Sequence, residues 1–490
     1  MDSTNNTDTT GESRFKQSLT LLDGTLLVIG SMIGSGIFIV SAGIAQAVGS
    51  TGWLIVVWLL SGFITLTAAL SYGELSGMFP HAGGQYVYLR EAFGKLYGFL
   101  YGWSFFAVIQ TGTIAAVGVA FGKFAGYLLP SLGDENILLG TFTGFHITAA
   151  QITGIATVIL LTYINTQGVK SGKWIQFFFT FTKIAAMAGL IIFGFVFFAG
   201  HDTWSSNWQD AWSAKEISKN MLAITHTSVN GPALVIAICT AMVGALFSSD
   251  AWNSVTFIAG EMKKPERNIG LSLFIGTLVV TFIYVCMNLM YLNVMTIPEI
   301  AHAPAERVAT VAALKIFGSD GAKIIALLIM VSTFGCNNGL ILSGARVYFT
   351  MAKDGLFLPA ASKLNSKGVP AQALWMQCLW ASLLCLSGQY GNLLDFIIFT
   401  VLLFYILTIG GIFKLRRTMP HHPRPYKAFG YPVIPALYIA LASFICIVLL
   451  KYKPDYTWPG LIIVIMGLPI YYVLQKKAAF NNKEDNKPRL

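Results

Sequence analysis

Charge is what this chain has least of: Asp, Glu, Lys and Arg make up 11% of its 490 residues, against 55% hydrophobic. That is less than half the charged share of an ordinary soluble domain and too little to cover a surface in water. The six cysteines (Cys239, Cys286, Cys336, Cys378, Cys385 and Cys446) all lie inside apolar stretches, which excludes an external disulfide framework and leaves no metal-ligand spacing. Residues 1–20 hold no apolar core of the kind a cleavable signal peptide needs, so they read as a polar tail. There is no phosphate-cradling Gly-x-x-x-x-Gly-Lys-Ser/Thr, no His/Cys cluster and no nucleophile elbow. ATP-driven transport is thereby disfavoured, no enzyme is indicated and no cofactor or metal is expected.

What the chain has instead is apolar length. Windows of about 20 apolar residues, enough to cross a bilayer, fall near 20–47, 53–79, 95–129, 147–166, 172–200, 233–260, 271–297, 322–350, 371–389, 392–413, 433–451 and 458–475. They predict an all-α membrane protein with 12 transmembrane helices. Most of the 32 Lys and Arg fall on the N-tail, the even-to-odd connections and the C-tail. The positive-inside rule then puts both termini in the cytoplasm, as an even number of spans also requires. The expected location is the plasma (inner) membrane, multi-pass. The formal charge of +10 thus faces the inner leaflet of the lipid bilayer, and no nucleic-acid partner is indicated.

Two spans carry an interruption. Gly34-Ser35-Gly36 breaks the first and Ser248-Ser249-Asp250 the sixth. Irregular main chain at membrane depth is tolerated only where it is buried in protein or lines a wet cavity. Paired broken spans in corresponding halves point to a transporter's substrate site. Their five-span separation is expected of a five-plus-five inverted repeat. The predicted division is 1–19 cytoplasmic N-tail, 20–200 first repeat, 201–232 external loop and 233–413 second repeat. Residues 414–475 form helices 11 and 12 with a preceding basic loop, and 476–490 the cytoplasmic C-tail. The 201–232 loop should form an irregular external cap. Residues 305–317 read as a short external amphipathic helix, either a lid or simply a surface helix.

A half-helix starting at Ile37 would aim free N–H groups and a positive dipole end at a carboxylate. The competing reading of Gly34, Ser35 and Gly36 is a small-residue packing seam. Unwinding at Ser248, Ser249 and Asp250 would free carbonyls for an ammonium group, so the two breaks together match an α-amino acid. Asp250 either pairs with that amine or, the favoured reading, caps a half-helix starting at Ala251. Lys183, mid-span in Thr180-Phe-Thr-Lys183, is a functional hypothesis by its depth alone. It serves as a fixed charge near the first break in place of a sodium ion, as a proton carrier, or as one half of a purely structural ion pair. Arg346, with Glu74 or Glu261, makes an internal gate or an interfacial anchor. Tyr284 and Asn288 share one face of span seven and either line the cavity or bond a neighbouring helix.

Several motifs in order carry a family resemblance over about residues 20–450. Gly34-Ser-Gly-Ile-Phe38 resembles the first-helix signature of the amino acid–polyamine–organocation superfamily. Phe247-Ser-Ser-Asp-Ala-Trp-Asn253, Glu261-Met-Lys-Lys-Pro-Glu-Arg-Asn268, Ser343-Gly-Ala-Arg-Val347 and Arg424-Pro-Tyr-Lys427 resemble its L-type amino acid transporter branch, as does Phe181-Thr-Lys183. The resemblance implies a LeuT-type fold with discontinuous helices 1 and 6, and sodium-independent exchange of small to medium neutral L-amino acids. A proton-coupled or cationic amino acid/polyamine carrier and a non-transporting membrane sensor are the alternatives. By position, Gly34, Ser35 and Gly36 would hold the carboxylate, and the carbonyls of Met32, Phe247 and Asp250 the amine. Phe247 would be an aromatic lid, and Ser248, Ala251, Trp252 and Asn253 would complete the site. The branch often has Gly where this chain has Ala251, whose methyl group would narrow the cavity. Residues 130–146 lack the cysteine through which eukaryotic members bond a glycoprotein, so no such disulfide-linked partner is expected.

Overall fold

The computed structural model describes residues 17–140, 146–168, 172–198, 200–218, 227–387 and 390–485; the tail segments 1–16 and 486–490 lie outside them. The chain enters α1 (Leu21–Met32) through a capping box, in which Asp23 accepts from the Thr20 amide and Thr20 Oγ1 from the Asp23 amide. The helix stops at 33–35 and resumes as α2 (Gly36–Ile39), running through Val40 into α3 (Ser41–Val48). Then come α4 (Thr51–Met78), the loop helix α5 (Gln85–Phe93), and a long span built of α6 (Lys95–Ser104), one π-helical turn over Phe105–Ile109, and α7 (Gln110–Leu128). The strands β1 (Ile137–Gly140) and β2 (His146–Thr148) pair antiparallel ahead of α8 (Ala149–Thr166) and α9 (Gly172–Phe197).

After α10 (Asp202–Gln209) and the short pair β3 (Lys215–Glu216) and β4 (Thr227–Ser228), α11 (Pro232–Ser248) starts on a proline. Proline at the first helical position forfeits only an N–H that has no helical partner. The chain breaks again before α12 (Ser254–Phe257), then continues as α13 (Pro265–Val294), α14 (Ile297–Ala301) and α15 (Val308–Lys353). The last helices are α16 (Ala371–Ser387), α17 (Tyr390–Thr418), α18 (Val433–Tyr452) and α19 (Pro454–Asp485). Among the described residues, ten helical spans are long and apolar enough to cross a membrane, and α11 and α16 are shorter apolar helices.

Three differences from the sequence reading stand out. The loop between α4 and α6 holds a helix, α5, entered through Gly83 and Gly84, both at positive φ. The 201–232 connection is less irregular than expected, since it carries α10 and a strand pair. The amphipathic helix begins at Val308, not at 305, because Ala305 (φ 51°) and Glu306 (φ 60°) are left-handed. Gly318 (φ 74°, ψ −170°) then bends that helix away from the rest of α15.

Packing places the two interrupted spans at the centre. α1 lies against α9, α13 and α15, while α11 lies against α3, α4 and α17. At the face where the chain enters α1, the amides of Ser18 and Leu19 donate to the Glu261 carbonyl (2.9 and 3.0 Å), and Lys263 N donates to Leu19 O (2.8 Å). At the opposite face, Gln46 Nε2 donates to Ala301 O (2.7 Å), and Asn207 Nδ2 donates to the carbonyls of Leu292 and Met295. These bonds seat the 201–218 segment and α14 over the ends of α3 and α13.

Candidate functional site

A helix that stops in the protein interior leaves carbonyls without amide partners, and burial makes each orphan costly. At the first break, side chains from three other helices take these carbonyls, one of which, Met32 O, also accepts from the Gly34 amide (2.8 Å). Lys183 Nζ, from α9, donates to Gly30 O (2.8 Å) and Ile33 O (2.7 Å). Cys336 Sγ, from α15, lies 3.2 Å from Ser31 O. The Tyr284 hydroxyl, from α13, lies 3.0 Å from Met32 O and 2.9 Å from Ser248 O. One phenolic proton thus serves a carbonyl from each break. Tyr284 and Asn288 bond neighbouring helices: Ser41 Oγ, from α3, donates to Asn288 Oδ1, while Asn288 Nδ2 turns back to Tyr284 O on its own helix.

The glycines set how closely the breaks approach. A Cβ on Gly36 would come within 2.0 Å of Ser248 Oγ, and one on Gly34 within 3.1 Å of Cys336 Sγ. Gly36 therefore lets the two interrupted helices touch, and Ser35 between the glycines is fully buried. Ser248 Oγ turns back to Gly244 O (2.8 Å).

At the second break the expected cap is absent. The next helical segment opens at Ser254, not Ala251, and no side chain caps it. Asp250 instead receives the Tyr405 hydroxyl from α17 on Oδ1 (2.7 Å). The physical reason is Ala251, whose left-handed φ of 62° turns the chain and delays the helix by three residues. An alanine there carries strain of about 1–2 kcal/mol that glycine would not. Ala251→Gly is therefore expected to raise the unfolding midpoint of the purified protein, against the usual penalty for an added glycine. A lowered midpoint would contradict the strain.

Trp252 is buried in an aromatic nest, edge-on to Tyr72 (4.8 Å between centroids) and tilted against Tyr405 (5.3 Å). A narrow cavity opens beside Asp250, Ala251 and Asn253, walled by Gln110 and Thr113 of α7 and Tyr405 of α17. It has room for water but not for an amino acid. Phe247, in the last turn of α11, is buried and lies outside this lining, as do Met32, Gly34 and Gly36.

Two ion pairs, each with one buried partner, hold the face where α1 starts. Arg346 pairs with Glu261 (Nη2 to Oε1, 2.7 Å) rather than with Glu74. Glu74 accepts from Arg416 Nε (2.9 Å), Arg416 Nη2 (2.6 Å) and the Ala428 amide (2.7 Å), with Arg424 Nε 3.3 Å away. Because Glu261 O also receives the Ser18 and Leu19 amides just before α1, its residue ties α1, α12 and α15 together. Sequence reading passed over Tyr405 and Gln85; the Gly83-Gly84 pair just before Gln85 was the available signal of a close backbone approach.

The sequence profile described as "Amino acid permease" matches residues 19–471. The chain is similar to the serine/threonine exchanger SteT of Bacillus subtilis (strain 168), 30% identical over 474 residues, 96% of this chain and 99% of the relative. It is also similar to the b(0,+)-type amino acid transporter 1 of Mus musculus, 27% identical over 93% of this chain and 87% of the relative. The large neutral amino acids transporter small subunit 2 of Homo sapiens is 28% identical over 94% of this chain and 81% of that protein. With a profile match over most of its length and a full-length relative at this identity, the chain belongs to the amino acid permease family.

Proposed function

We propose that the protein is a sodium-independent secondary exchanger of small to medium neutral L-amino acids, working by alternating access. The observation that carries this reading is Lys183, whose ammonium sits on two carbonyls of the first break and does the electrostatic work of a bound cation. The serine/threonine, b(0,+)-type and large neutral amino acid relatives support the substrate class. We read the ten long spans and the two shorter apolar helices as 12 transmembrane helices. The extensive pairing of α4 with α13, and of α7 with α15, supports a LeuT-type five-plus-five repeat, since a pseudo-two-fold would pair span two with seven and three with eight. The boundaries remain 20–200 and 233–413, with both termini cytoplasmic in the plasma membrane.

In this reading the amides at Ser35 and Gly36, and that of Gly34 once it leaves Met32 O, take the substrate carboxylate. The ammonium goes to carbonyls of the two breaks; Met32 O, which also accepts from the Gly34 amide (2.8 Å), gains a free lone pair when the Tyr284 hydroxyl turns to Ser248 O. Phe247 closes over the substrate after a movement of α11, and Asp250, Ala251, Trp252 and Asn253 wall the side chain. The cavity must widen to admit an amino acid, so opening and substrate entry are one event. A cationic or proton-coupled carrier gains from one observation: Asp250 lines the cavity with a carboxylate, where a cap had been expected.

Reconstituted vesicles loaded with unlabelled amino acid should take up labelled neutral amino acid far faster than empty vesicles, with or without sodium. Equal uptake into empty vesicles would remove exchange, strict sodium dependence would remove the role given to Lys183, and uptake confined to cationic substrates would favour the second reading.

A further inference from the structure

Gln85 reaches the cavity from outside the two interrupted spans. The loop before it is pressed onto α12: a Cβ on Gly84 would come within 2.2 Å of Thr256 Oγ1, and Gly83 N donates to Phe257 O (3.3 Å). Only glycine permits that approach, because Gly84 also has a φ of 46°. The chain then turns into α5, and its first side chain, Gln85, is 1% exposed and lines the cavity beside Asp250 and Asn253.

Both ends of the Gln85 amide are held. Nε2 donates to Thr408 Oγ1 (3.0 Å), and Oε1 accepts from Asn253 Nδ2 (3.2 Å). The orientation follows from its neighbours. Thr408 spends its own proton on Phe404 O (2.7 Å), so it accepts, and the amide nitrogen must face it. The amide therefore bridges the second break to α17 in the wall of the cavity.

We propose that Gln85 is a specificity-determining residue: it forms the floor of the side-chain space, fixes how long a substrate side chain fits, and positions Asn253. This rests on the exchange reading given above. A floor of this kind has two consequences. Shortening it lengthens the space, and charging it changes the polarity of the space without changing its length. The carboxylate of a glutamate at this position would still accept from Asn253 Nδ2, while its second oxygen, in the place of the amide nitrogen, takes the Thr408 proton away from Phe404 O, so the cavity gains a negative end at the cost of one helix-internal bond.

The test uses the full-length protein in vesicles loaded with alanine, with labelled alanine, leucine and lysine supplied outside. Gln85→Ser is expected to raise leucine uptake relative to alanine by about tenfold, the scale set by a methylene or two of pocket length. Gln85→Glu, nearly the same size as the native residue, is expected to raise lysine relative to alanine by about tenfold. Ratios are compared within each preparation, so a lower yield of folded variant does not move them. If both ratios stay within about twofold of the native protein's, the residue is only packing and the inference fails. If the native protein takes up none of the three, the exchange reading itself falls, and this inference with it.

Discussion

Lys183→Ala is expected to cut proposed exchange by an order of magnitude or more, although it removes no group that the substrate is proposed to touch. The loss comes from the two carbonyls, Gly30 O and Ile33 O, that the ammonium holds at 2.8 and 2.7 Å. Each buried orphan acceptor costs about 1–3 kcal/mol. The segment escapes that cost by rewinding or by letting water in, and either change spoils a site built on an unwound backbone. Cys336 and Tyr284 hold only the intervening carbonyls, Ser31 O and Met32 O, and Ser332 Oγ reaches Ile33 O only at 3.5 Å, so none of the three substitutes for the lysine. Lys183→Arg keeps the charge but presents a broad planar head in a position 1% exposed, so partial activity is expected. A proton-carrying role predicts otherwise, since arginine does not release its proton and Lys183→Arg would be as inactive as Lys183→Ala. Initial uptake rates of the three proteins, measured over about pH 5–8 around the range in which perturbed amines titrate, separate the two roles. An alanine variant with native rates at every pH would leave Lys183 with neither.

Glu74→Ala should be the most destabilising single change at the face where α1 starts, away from the proposed substrate position. Its carboxylate is fully buried and joins α4 to the end of α17 and to the loop before α18. Removing it strands Arg416, a main-chain amide at Ala428 and one edge of Arg424. Breaking a buried charge network in this way typically costs about 3–5 kcal/mol. Arg416 stays partly placed by its stacking on the Tyr431 ring, 3.6 Å from the centroid, and Arg424 by the carbonyls of Leu415 and Met419. The loop should therefore loosen rather than detach. Thermal unfolding of the detergent-purified protein gives the measurement, with Glu74→Gln falling between alanine and native because it keeps one acceptor. Unchanged midpoints for both variants would mean that the guanidinium groups are solvated well enough without Glu74.

Elements whose cause is local are legible in the amino-acid order alone. The apolar windows predict most helix ends to within a few residues, since a run such as 433–451 needs no partner to declare itself. The two breaks are equally visible, because Gly34-Ser35-Gly36 and Ser248-Ser249-Asp250 are weak helix formers in apolar surroundings. Lys183 stands out because a lone ammonium in such a run is too costly to keep without a role. What stays hidden depends on pairs far apart in sequence. Asp250 looks like a helix cap until Tyr405, 155 residues away, supplies its partner. Tyr284 and Asn288 have two open readings because the spacing of four residues gives a face but not what the face meets. Gln85 draws no notice because its partners, Asn253 and Thr408, lie far along the chain, beside the second break and on α17. Backbone sign is hidden in the same way: an alanine at 251 gives no hint of φ 62°.

The π turn at Phe105–Ile109 has a consequence for how this chain can change over time. A π turn holds one residue more than the α-helix around it, so the two halves of the span are offset by about 100° of rotation relative to an unbroken helix. Tyr101 and Phe105, up to the start of that offset, and Gln110 and Thr113 after it, reach the same cavity. Loss of a single codon within the turn would let the helix close up into ordinary α geometry at little local cost. It would also swing Gln110 and Thr113 off the cavity wall, or drag the connection to α5 around to compensate. Substitutions in this stretch leave the offset in place, whereas a one-residue deletion removes it. Length polymorphism should therefore be purged from residues 105–109 more severely than amino-acid replacement, the reverse of what a surface loop tolerates.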